Sequence, residues 1–159
     1  MSSISKFIKL FIENPAGAAR LFRALLRGTF TVVYYRLAKP RVRIELPFFM
    51  YERFRVSGPG KVTIGKFCSI YTNIFDGVCI VTLEPCAEVC IGRNCSLGGV
   101  TIRCRKRIEI GDGIMAGNSL IQDCMLAERP PALASKGMPH DMPSRAIRIG
   151  RNVWVGAQS

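Results

Sequence analysis

A six-residue phrase, written four times along this chain, constrains its fold more than any other feature. The clearest copy is Ile149-Gly150-Arg151-Asn152-Val153-Trp154, which runs on into Val155-Gly156-Ala157. Earlier copies open at Ile64 (Ile64-Gly65-Lys66-Phe67-Cys68-Ser69), at Ile91 (Ile91-Gly92-Arg93-Asn94-Cys95-Ser96) and at Ile110 (Ile110-Gly111-Asp112-Gly113-Ile114-Met115). Each reads aliphatic, Gly, polar, any, small or aliphatic, any, and an aliphatic or Ala residue then begins the next six. Self-similarity of this kind marks a stacked repeat, in which a unit buries its apolar side only against its neighbours. A strand period of two does not produce this glycine spacing, and a helical period fits the apolar positions poorly.

The pattern implies a coil with a narrow, dry interior. The leading aliphatic residue of each phrase points inward along one flat wall, and the small residue at the fifth position fits beside a corner. The glycine lets backbones approach closely and admits dihedral angles that other residues avoid.

The distances between copies add a second constraint. The leading isoleucines at 64, 91, 110 and 149 are separated by 27, 19 and 39 positions. A coil of three hexapeptides takes about 18 residues. The middle interval is therefore one coil plus one residue, and the last is one coil plus about 21 residues of loop. That loop falls at about 124–146 and holds Pro130, Pro131, Pro139 and Pro143. Loops this long inside compact folds are usually functional or disordered.

The chain is long enough for one domain with a core, and two segments are expected: 1–40 and 41–159. In the first, Phe7, Ile8, Leu10, Phe11 and Ile12 lie among Lys6 and Lys9. Pro15 then suits the first turn of a helix through Ala18, Ala19, Leu21, Phe22, Leu25 and Leu26. Arg20, Arg23 and Arg27 interrupt its apolar surface, and Thr29–Tyr35 is too short to span a bilayer. Two readings stand for this basic amphipathic segment. It lies on an anionic membrane or a neighbouring subunit, or it caps the end of the β stack. Residues 41–63, with the turn Gly58-Pro59-Gly60, read as strands leading into the first coil.

Charge and cysteines narrow the chemistry. There are 23 Lys plus Arg against 11 acids, a net charge of +12. Such a balance suits phosphate-bearing cofactors, anionic headgroups or nucleic acid. Nucleic acid is the weakest of these, because the run Arg103-Cys104-Arg105-Lys106-Arg107 has no aromatic platform for bases. Of the 7 cysteines, Cys68 and Cys95 occupy the small fifth slot and read as apolar fillers. Cys86 and Cys90 are not followed by a second matching pair, so no metal is expected. With no signal peptide, an odd count fits a reducing cytosol.

These phrases, with the Trp154-bearing copy, resemble the hexapeptide-repeat acyltransferases over roughly residues 41–159. The nearest branch is the sugar O-acetyltransferases of the maltose, galactoside and capsule or exopolysaccharide type. The resemblance implies a mainly β fold, a left-handed parallel β-helix, which departs from the usual right-handed crossover. It also implies a homotrimer with sites between subunits, acetyl-CoA as co-substrate and a sugar or glycan hydroxyl as acceptor. The expected location is cytoplasmic, with room for peripheral contact at the inner face of the membrane.

The resemblance places a general base shortly after a stretch like Leu120-Ile121-Gln122-Asp123. Met125, Leu126 and Ala127 stand at those positions, and none can serve as a base. The role passes to His140, the one histidine of the chain, with Asp123 or Asp141 to orient it. Trp154, Gly156 and Ala157 match positions near the coenzyme A groove. Relatives continue for further coils past the point corresponding to Ser159, so a truncated form is expected. The alternative reading is a catalytically inactive β-helix acting as a trimeric scaffold. A zinc hydratase on the same fold would need several histidines and finds one.

Overall fold

The computed structural model describes residues 14–71, 77–124 and 144–157. Among these residues the fold is mainly β, with one helix ahead of fourteen short strands. The helix α1 (Pro15–Ala38) starts where Asn14 accepts the Gly17 backbone N–H on its side chain at 2.8 Å, with Pro15 in the first turn. It continues through Thr29–Tyr35, which the sequence presents as a separate apolar run. The β-branched residues there disfavour helix only weakly, and packing against the first strands outweighs that cost.

The strands form three faces. Face A contains β1 (Val42–Ile44), β4 (Lys61–Ile64), β7 (Glu88–Ile91), β10 (Arg107–Ile110) and β13 (Ile147–Ile149). Face B contains β2 (Phe48–Met50), β5 (Cys68–Ile70), β8 (Ser96–Gly98), β11 (Met115–Gly117) and β14 (Trp154–Val155). Face C contains β3 (Phe54–Ser57), β6 (Val78–Thr82), β9 (Thr101–Cys104) and β12 (Leu120–Gln122). Every pairing is parallel and joins strands three apart in sequence, so the chain visits A, B and C in turn. This order is compatible with a parallel β-helix.

The register superposes the phrases. Ile64 pairs with Ile91, Ile91 with Ile110, and Ile110 with Ile149, so the long insertion before Ile147 does not displace the last copy. Ile44 pairs with Ile64 and begins a fifth copy, Ile44-Glu45-Leu46-Pro47-Phe48. Glu45 replaces the glycine there, Leu46 the polar residue and Phe48 the small one, which conceals the copy from pattern reading; the Leu46–Pro47 peptide is cis. Residues 42–57 are therefore not a lead-in to the first coil; they are the first coil.

The fourth position, which the sequence leaves as any residue, has a conformational requirement. Phe67, Asn94, Gly113 and Asn152 all occupy it with φ of 62°, 55°, 70° and 54°. Asn and Gly accept this left-handed corner most readily. The second-position glycines serve a different purpose. A Cβ on Gly111 would lie 2.6 Å from the Gly150 carbonyl oxygen, and one on Gly92 would lie 2.7 Å from the Asp112 nitrogen. Close approach of stacked corners, rather than an unusual dihedral, keeps these positions glycine.

Inside, Val62, Val89, Ile102, Ile108 and Leu97 are fully buried. Cys68 and Cys95 fill one inward column below Phe48, as expected of small apolar residues, and their thiols donate to the carbonyls of Gly92 and Gly111 at 3.2 and 3.3 Å. Contact with the Cys95 thiol and burial together push the Cys68 thiol above its ordinary range. At the first coil, α1 packs against β2 and β1 and covers the stack. The Tyr35 hydroxyl accepts the Val56 N–H of edge strand β3 at 2.9 Å, and the Lys39 ammonium donates to the Val56 carbonyl at 2.7 Å. Backbone groups that would otherwise be open to pairing are thereby satisfied.

Candidate functional site

The sequence-derived site has two parts: of the catalytic part the described residues contain Asp123, and of the coenzyme part they contain Trp154, Gly156 and Ala157. Asp123 follows β12 at the corner that leads from face C to face A, immediately before the long insertion. Its side chain is almost wholly buried. The backbone N–H of Arg105 donates to Oδ1 at 2.6 Å, and those of Lys106 and Arg107 donate to Oδ2 at 2.7 and 2.9 Å. Three successive N–H groups form an anion-binding concavity, and the chain's own carboxylate fills it.

The column explains why. Thr82 pairs with Cys104, and Asp123 stands one step further on. Thr82 serves the preceding corner in the same way, accepting the Gly60 N–H at 2.9 Å and donating to the Ser57 carbonyl at 3.2 Å. Asp123 thus holds the 105–107 corner, a structural role that its sequence position does not announce. The Cys104 thiol lies 3.6 Å from Asp123 Oδ2, and burial together with that carboxylate pushes it up to about 12. Cys104 is therefore a poor nucleophile near neutrality.

The basic run beside this corner is partly paired. Arg107 reaches Glu88 at 3.0 Å and Glu109 at 2.6 Å, and Arg105 lies 3.7 Å from Glu84. Arg148 also reaches Glu109 at 2.7 Å, so face A carries a ladder of alternating charge. Those two arginines hold the Glu109 carboxyl below the usual carboxylate range.

Trp154 lies on face B, paired with Met115, and both are strongly exposed. In the same outward row are Ser96 and Ser69, whose hydroxyls are 3.0 Å apart. Gly156 and Ala157 follow directly. In a triangular coil the corner between faces C and A lies across from face B. Within one chain, Asp123 and Trp154 are therefore not brought together. His140 and Asp141 fall outside the described residues, as do Met125, Leu126 and Ala127.

Sequence reasoning missed two features. Asn118 Oδ1 and Ser119 Oγ, between β11 and β12, are buried without a hydrogen-bond partner among the described residues. Asn118 takes φ 48° at this corner, and an Asn after a small-residue strand was the available signal. The other is a cavity of about 810 Å³ between α1 and the first coil. Arg36, Arg43, Lys61, Glu45, Val32 and Leu46 help to line it. It lies at the opposite end of the stack from Trp154 and takes in no residue of the sequence-derived site.

Among the described residues, no group of three or more His, Cys, Asp and Glu side chains is arranged to hold a metal ion. No helix among them is long and apolar enough to cross a membrane. No family model, curated protein or solved structure matches the chain.

Proposed function

We propose that this chain is an acyl-CoA-dependent O-acetyltransferase of the hexapeptide-repeat type, built on a left-handed parallel β-helix and acting on a sugar or glycan hydroxyl. The observation that carries this reading is the register of Ile64, Ile91, Ile110 and Ile149, kept in step across an insertion that contains the chain's only histidine. A repeat kept in step across so long an insertion leaves the loop free for function.

In the proposed reaction His140 takes the proton of the acceptor hydroxyl as its oxygen attacks the thioester carbonyl. The new C–O ester bond forms, the C–S bond breaks, and the coenzyme A thiolate leaves to be protonated. Asp141 orients His140. Trp154, Gly156 and Ala157 border the coenzyme groove, and cationic side chains favour the coenzyme phosphates. Trp154 lies on face B, and the insertion that carries His140 leaves from the corner between faces C and A. That separation favours a site shared between subunits, as in the homotrimer of the resemblance.

A second reading has an observation of its own. The Asp123 carboxylate already serves three backbone N–H groups, which reduces its capacity to orient a histidine. A trimeric scaffold without turnover fits that finding.

Calorimetric titration of acetyl-CoA into the full chain, with thioester cleavage measured beside it for His140→Ala, separates the two. Binding together with cleavage that falls by about 100-fold or more in the variant supports the transferase and places His140 as base. A folded protein that binds no acetyl-CoA supports the scaffold.

A further inference from the structure

The helix α1 has two opposed faces. Ala18, Ala24, Gly28, Val32 and Tyr35 are buried toward the first coil. The contact is close: a Cβ on Gly28 would collide with the Phe48 carbonyl. Because this face is fixed on the stack, the outward face is fixed too. That face carries Phe22, Leu26, Phe30, Val33, Tyr34 and Leu37, with Phe30 73% and Leu37 80% exposed. Their spacing of three and four residues makes one continuous stripe, about 22 Å long from Phe22 to Leu37. An apolar strip of this size on a protein surface marks an interaction site.

Charge selects the partner. No acidic residue occurs between Pro15 and Ala38, whereas Arg20, Arg23, Arg27 and Arg36 do. At helical spacing Arg23 and Arg27 run along one margin of the stripe, and Arg36 stands at the other. A second copy of this chain would bring the same arginines toward one another. An anionic lipid surface takes the apolar stripe among its acyl chains and the guanidinium groups among its headgroups. A helix lying in the interface also agrees with the lack of a crossing helix among the described residues.

We propose that α1 docks the protein flat on an anionic membrane through Phe22, Leu26, Phe30, Val33 and Leu37, with Arg23 and Arg27 held at the headgroups. The surface stands apart from the sequence-derived site and does not depend on the transferase reading.

The test is flotation of the full chain with vesicles of phosphatidylcholine alone and with vesicles containing phosphatidylglycerol. Wild type is expected to float with the anionic vesicles only, and less as salt rises. Phe30→Glu with Leu37→Glu, and separately Arg23→Gln with Arg27→Gln, should each weaken partitioning by about tenfold or more. All of these positions are exposed, and an unchanged circular dichroism spectrum checks the fold. The arginine pair leaves the apolar stripe intact and keeps the test open if the glutamate variant does not fold. Equal binding to neutral vesicles, or unaltered binding by the arginine variant, overturns the proposal. So does a glutamate variant that splits an oligomer while vesicle binding stays unchanged, because the stripe is then a contact between copies.

Discussion

At the scale of single residues, the phrase contains two kinds of glycine that look alike in sequence. Gly111 faces the next coil, and a Cβ there would lie 2.6 Å from the Gly150 carbonyl oxygen. Gly150 has nothing within 4 Å of the same position. Neither has the left-handed φ that would itself require glycine. Gly111→Ala is therefore expected to cost about 1–3 kcal/mol, since backbone rather than a flexible side chain must yield. Gly150→Ala should be neutral, or stabilising by up to about 1 kcal/mol, because it restricts only the unfolded chain. Urea unfolding of the pair checks this, and equal losses at both sites would contradict the stacking geometry.

At the scale of elements, the corner between β9 and β10 shows how much of this fold could be read in advance. The leading isoleucines, the stacking and the filler role of Cys68 and Cys95 follow from the phrase, because burial every sixth position leaves a periodic trace. The first coil escaped, since Glu45, Leu46 and Phe48 replace the glycine, the polar residue and the small residue of the pattern, although Ile44 and Phe48 still pack into the core. The role of Asp123 escaped for another reason. Its partners are backbone N–H groups sixteen to eighteen positions earlier, and backbone donors leave no signature in a sequence. Of the expected site, only Asp123, Trp154, Gly156 and Ala157 can be placed.

Asp123→Ala measures that corner. Burial leaves its donors little access to water, so the loss is expected at about 2–4 kcal/mol, read from the urea midpoint. A loss below about 1 kcal/mol with strongly reduced thioester cleavage would instead assign Asp123 to the orientation of His140.

At the scale of the whole molecule, the single tryptophan connects the fold with the proposed assembly. Trp154 is 78% exposed in the isolated chain, on a face that its own Asp123 corner does not share. An indole in that position contributes little to the stability of its own coil. If neighbouring subunits build a groove there, assembly removes much of the ring from water, and bound acetyl-CoA removes more. Emission should then be red-shifted and readily quenched in dilute solution. It should move to the blue as concentration drives association, and again on adding acetyl-CoA. Sedimentation followed in parallel identifies the species responsible. Emission that stays red-shifted in a demonstrated trimer would place Trp154 outside the subunit contact, and the two-subunit site would lose its support. A shift that follows trimer formation but ignores acetyl-CoA would keep the assembly and favour the scaffold over the enzyme.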